Sequence, residues 1–99
     1  MGIYIQIKKI NKKNEIYYYE VNTTQFDVKC PFYIGIDSLN KMLLIYKDLY
    51  FKELICNIDL INPSIPVCSI PAPLIARIIT KVKQALKDNA FTEYISYEA

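Results

Sequence analysis

Histidine and tryptophan are absent from this sequence, arginine occurs once and glycine twice. Without histidine, the side chain that most often moves protons near neutral pH is missing. A serine or cysteine nucleophile would have only carboxylates or lysines as its base. Gly2 and Gly35 alone do not build a glycine-rich phosphate loop. Cys30, Cys56 and Cys68 stand 26 and 12 residues apart with no C-x-x-C pair, so three thiols without imidazole make a poor zinc site. No enzyme activity, cofactor or metal is therefore expected.

Long apolar runs are missing too. The longest, Met42 to Tyr46, has five residues, far short of a bilayer span. Met1 to Gln6 lacks the basic flank and long apolar stretch of a signal peptide. Gln6 stands where a myristoylation pattern needs Ser or Thr. An odd number of thiols in a chain without a leader reads as reduced cysteine, hence a cytoplasmic location. There is also no strong charge of either sign. Twelve basic residues face ten acids, for a net +2, whereas dedicated nucleic-acid binders usually carry a clustered positive excess.

What is present is apolar side chain, 53% of 99 residues. That suits one globular domain over 1–99 and leaves no room for two independent cores. Period-two alternation marks strands. Ile3, Ile5 and Ile7 alternate with Tyr4, Gln6 and Lys8, and Ile16 to Val21 returns after a turn at 11–15 in which Asn14 suits a left-handed residue. That register sets Ile5 against Val21 and Ile7 against Tyr19, with Gln6 opposite Glu20 and Lys8 opposite Tyr18. A second hairpin joins Phe32–Ile36 to Met42–Tyr46 through Asp37–Lys41, with Asn40 left-handed. Its register sets Ile36 against Met42 and Ile34 against Leu44. A turn near Asp48 leads to a fifth strand with Leu54, Cys56, Ile58 and Leu60 on its inner side.

Pro63, Pro66, Pro71 and Pro73 forbid ladder bonding in the next segment, which is expected to pack along an edge or end of the sheet. From Pro73 onward, Leu74, Ile75, Ile78, Ile79, Val82, Ala85 and Leu86 recur at helical spacing, and Asn89 suits a left-handed stop. Phe91 to Tyr97 alternates again, as a last short strand or an aromatic latch. The expected fold is α+β: an antiparallel meander of about five strands followed by one C-terminal amphipathic helix packed on one face, with a short last strand or tail.

Two surfaces are candidates for function. In the second hairpin's expected register Tyr33 faces Ile45 and Gly35 faces Leu43, with Ile55 on the next strand. Tyr33, Gly35, Leu43, Ile45 and Ile55 would then form an apolar patch with a dent on the sheet face away from the helix. Such a face is usually polar, and an apolar one marks contact with another protein or a second copy of the chain. Cover from within, by the proline-rich crossover, by the tail or by a sheet curled into a partial barrel, is the competing reading. The leading functional expectation is thus a non-enzymatic protein-interaction module, homodimeric through its outer sheet face. The alternative is nucleic-acid or polyanion binding through Lys8, Lys12 and Lys13 of the first hairpin with Arg77 and Lys81 of the helix. For these lysines the plainer reading is solubility. Exposed Glu20, Glu53 and Asp59 read as solvated strand faces. Cys56 reads as a small core hydrophobe. Cys68, in the proline-rich loop, is the better candidate for a reactive thiol, though its sequence neighbours supply no activating charge.

Overall fold

A computed structural model describes residues 4–95, 97 and 98. The strands are β1 (Tyr4–Lys13), β2 (Ile16–Asn22), β3 (Phe32–Asp37), β4 (Met42–Tyr46) and β5 (Leu54–Asp59), followed by α1 (Ala72–Asp88) and β6 (Tyr97–Glu98). They form one antiparallel sheet in the order β5-β4-β3-β2-β1-β6. The five-stranded meander and the single helix follow the periodicity. Ile3 of the expected first strand lies outside the described residues.

The core lies between sheet and helix. Ile5, Ile7, Tyr19, Val21, Ile34 and Ile36 meet Leu74, Ile75, Ile78 and Val82 in one continuous cluster. Each large apolar side chain so buried contributes on the order of 1.5–3 kcal/mol. The helix begins one residue before Pro73, whose missing N–H falls in the first turn, where no intrahelical partner exists. It ends at Asn89, in left-handed conformation at φ 49°, and the next residue's N–H donates to the Ala85 carbonyl at 2.9 Å. A side-chain amide residue tolerates that conformation.

The two central hairpins differ from expectation in opposite ways. In the first, Asn14 is left-handed as expected, but the turn is tighter, with Lys13 pairing Ile16. Ile7 consequently faces Val21 and Lys9 faces Tyr19, with a bulge between Lys9 and Asn11. Displacement by two residues preserves the faces, so Ile5, Ile7, Tyr17 and Tyr19 still point towards the helix. In the second hairpin the loop has four residues, and Asp37 pairs Met42 rather than Lys41. The left-handed residue is Lys41, at φ 55°, and not Asn40. The cause is the Asp37 carboxylate, which accepts from the backbone N–H of Leu39 and Asn40 and from the Asn40 side chain at 2.9–3.1 Å. A slip of one residue turns a strand over. Leu43 and Ile45 therefore face the helix, fully buried, and Met42, Leu44 and Tyr46 face outward.

The tail is both strand and latch. The Ile95 N–H donates to the Ile7 carbonyl at 2.9 Å, and β6 sets Tyr97 against Ile5. Phe91 stacks on Tyr17 with centroids 4.0 Å apart and planes 9° apart. The buried Tyr19 hydroxyl donates to the Thr92 carbonyl at 2.8 Å.

Two outcomes follow from this core. Ile45→Ala should lower unfolding free energy by about 2–5 kcal/mol in urea titrations, as large-to-small changes at closed sites do. Burial, together with the neighbouring Tyr17, raises the ionisation of Tyr19 well above the ordinary value of 10.0. The unfolded chain therefore loses that proton first. The associated stability should be intact below about pH 10 and fall as pH rises beyond it. Urea midpoints measured across pH 8 to 11, with Tyr19→Phe showing a shallower fall, check this.

Candidate functional site: the outer sheet face

The helix covers one side of the sheet only. On the other side the strand pairings set residues in rows. One row runs Lys13, Ile16, Asp37, Met42, Asp59, and the next runs Asn11, Tyr18, Gly35, Leu44, Asn57. A third runs Lys8, Glu20, Tyr33, Tyr46, Leu54. The centre of this face is apolar and its margins are polar. Ile16, Tyr18, Met42, Leu44 and Tyr46 are each partly exposed, and Leu54 is 48% exposed.

The five residues expected here separate. Tyr33 and Gly35 lie on the outer face, as expected. Leu43 and Ile45 do not, because the four-residue loop of the second hairpin turns β4 over. Ile55 is the extra residue of a bulge where Ile45 pairs Cys56 and Tyr46 pairs Leu54. It packs against the core instead. The same bulge brings Leu54, expected inside, opposite Tyr46. The apolar outer face is thus real, but β4 supplies Met42, Leu44 and Tyr46 to it. Nothing in the composition of β4 distinguishes the two sets, since every residue from 42 to 46 is apolar. The distinguishing signal was Asp37 followed by Asn40, an Asx-type loop capped by its own carboxylate.

Among the described residues, the aromatic contacts that roof part of the face come from the β4–β5 connection, where the crossover or the tail was expected. The Lys47 N–H donates to the Glu53 carbonyl at 2.9 Å, closing the loop. Asp48 accepts from the N–H groups of Lys52 and Glu53 at 2.9 and 2.8 Å. The Glu53 hydrogen bond, followed by that of Lys52, holds its carboxyl below the usual range against a smaller desolvation effect. This fold-back puts Phe51 at φ 58°. Its ring lies 4.2 Å from Tyr18, 5.3 Å from Tyr46 and 6.0 Å from Tyr33, centroid to centroid. Tyr33 is left 8% exposed, and burial raises its ionisation, with Glu20 adding to the effect. The dent at Gly35 is filled from within. A Cβ there would stand 3.2 Å from the Tyr18 ring and 3.3 Å from Ile16, so the absent side chain admits a neighbouring one.

The five basic residues expected to act together are divided by the sheet. Lys8 and Lys13 sit on the outer face. Lys12 lies opposite Tyr17 on the helix side, its ammonium 5.1 Å from that ring centroid. Arg77 and Lys81 are on the helix. The Arg77 guanidinium donates to the Pro73 carbonyl at 2.9 Å and stands 5.6 Å over the Phe26 ring. Lys81 lines a shallow groove of about 240 Å³ with Asp88 and Tyr94. A larger groove of about 480 Å³ opens at the end of the core, floored by Phe32, Ile55 and Ile70. Among the described residues, no group of three or more acidic, Cys or His side chains could hold a metal ion. Among them, too, no helix is long and apolar enough to cross a membrane.

No protein-family model, no curated protein and no solved structure matches the chain.

The Phe51 roof can be separated into ring and backbone. Phe51→Ala should destabilise the fold by about 1–3 kcal/mol, through lost aromatic contact and burial. Phe51→Gly should be the more stable of the two variants by about 1 kcal/mol, because glycine adopts positive φ without the Cβ penalty. Chemical denaturation of the pair reads the difference.

Proposed function

We propose that the chain is a non-enzymatic interaction module that self-associates through its outer sheet face, one copy laid against another. The observation that carries this reading is the one-sided lid: partly exposed Ile16, Tyr18, Met42, Leu44 and Tyr46 occupy the centre of a sheet face that has no helix over it. Apolar surface left uncovered beside the Phe51 roof favours a partner that removes it from water.

A second copy suits the face because the face is self-complementary in charge. Lys13 and Asp59 stand at opposite ends of one row. A two-fold axis parallel to the strands, lying between two stacked sheets, sets each Lys13 over the other copy's Asp59. The apolar centres meet between them. An isologous contact makes that pairing twice, and two sheets stack face to face at about 10 Å.

Sedimentation across a wide concentration range tests the reading. Wild type should move from monomer to dimer. Leu44→Lys should keep its circular dichroism, since Leu44 is already partly exposed, while association weakens by roughly a hundredfold or more from a charge closed into an apolar contact. Lys13→Glu should weaken association, and adding Asp59→Lys should restore it. A wild type that stays monomeric at the highest attainable concentration, or a Leu44→Lys variant that dimerises as tightly as wild type, overturns the proposal.

A further inference from the structure

Two of the three thiols meet. Cys56 lies on β5 and Cys68 on the proline-rich connector between β5 and α1. Their sulfurs are 3.9 Å apart, and both residues are half-buried. We propose that Cys56 and Cys68 are a thiol–disulfide exchange site, oxidised to an intramolecular disulfide by a low-molecular-weight disulfide such as oxidised glutathione.

The connector delivers Cys68 to this position. Ile70 is anchored in the core at 4% exposure, and the Cys68 thiol donates to the Ile70 carbonyl at 3.7 Å. Pro66 and Pro71 flank the pair of residues that matter, fixing φ on either side, and Ile65 before Pro66 is held extended. Among the described residues, no backbone–backbone hydrogen bond ties the connector to β5, and the Ile61 N–H bond to the Asp59 carboxylate lies at its start, seven residues from Cys68. The two sulfurs must approach to about 2.0 Å to bond, and the segment carrying Cys68 has no ladder to break in doing so. Cys30 offers the contrast: its thiol donates to the Thr23 carbonyl at 3.4 Å, away from the pair.

The exchange balances without further reagents. Burial, and then the neighbouring Cys68, push the Cys56 thiol up to about 12, so Cys68 opens the sequence. Its thiolate attacks one sulfur of the small disulfide, the S–S bond breaks, and the expelled thiolate takes up the proton Cys68 released. Cys56 then gives up its proton and attacks the Cys68 sulfur, displacing the second small thiol. Two protein thiols are oxidised and one small disulfide is reduced to two thiols. The product pins the connector, with its exposed Ile61, Ile65 and Val67, to the outermost strand of the sheet.

Equilibration in glutathione buffers of graded ratio, followed by acid quenching, alkylation and intact-mass and peptide mapping, tests this. Oxidising ratios should give a monomeric chain lighter by two hydrogens, with one alkylatable thiol at Cys30 and a peptide linkage joining Cys56 to Cys68. Excess dithiothreitol should reverse it, and the oxidised form should melt roughly 5–15 °C higher, as a loop of this size predicts. Cys30→Ser should leave the crosslink unchanged, and Cys68→Ser should abolish it. Three alkylatable thiols at the most oxidising ratio overturns the proposal. So does stable glutathione on Cys68, or a bond that recruits Cys30 or a second chain.

Discussion

A single carboxylate sets the phase of the central hairpin. Asp37 gathers three N–H groups from the loop that follows it, and these bonds outweigh desolvation to hold its carboxyl below the usual range. A four-residue loop results, and β4 enters the sheet with Leu43 and Ile45 turned inward. Those two side chains join Ile34, Ile36 and Ile58 under the helix. Had the loop been one residue shorter, the same strand would have offered Met42, Leu44 and Tyr46 to the core. The inside and the outside of the molecule are both consequences of one polar turn.

The outer face follows from that choice. A sheet with one helical lid has a second surface to dispose of, and this chain does so with local means. Phe51, held in a costly backbone conformation by the Asp48 loop, spreads over three tyrosines. Tyr18 lies across the space Gly35 leaves. Bulges near both sheet margins adjust the rest. One lets β1 carry Lys12 to the helix side and Lys13 to the other, and the second draws Ile55 inward while leaving Leu54 outside. What these devices leave uncovered is a half-wet apolar centre with lysine on one flank and aspartate on the opposite one.

Much of the fold was legible in the sequence, because its signals are one-dimensional. The stripe from Leu74 to Ala85, the left-handed stop at Asn89, and the inward Ile5, Ile7, Tyr17 and Tyr19 all express a period. The first hairpin even tolerated a two-residue error, since parity survives it. The second did not. A strand that is apolar at every position carries no alternation from which to read its phase, so the loop alone decides. The loop's length depends on a side chain bonding its own backbone, which composition does not express. The outer site inherited this ambiguity: Tyr33 and Gly35, on β3, were placed correctly, while the partners drawn from β4 and β5 were exchanged for their neighbours. The Phe51 roof had no signal at all beyond an Asp three residues upstream.

The closing strand introduces an asymmetry of time as well as space. Every pairing from β1 to β5 joins segments adjacent in the chain, whereas β6 returns across the whole molecule to meet β1. Bringing distant segments together is entropically slow, and neighbouring hairpins form first. On topology alone, the edge of β1 is expected to be the last to pair, once the helix has docked and the tail has swung round. During that interval the nascent sheet displays an unpaired border. The lysines at positions 8, 9, 12 and 13 all lie on that strand, and charge along an open edge disfavours the addition of a foreign strand.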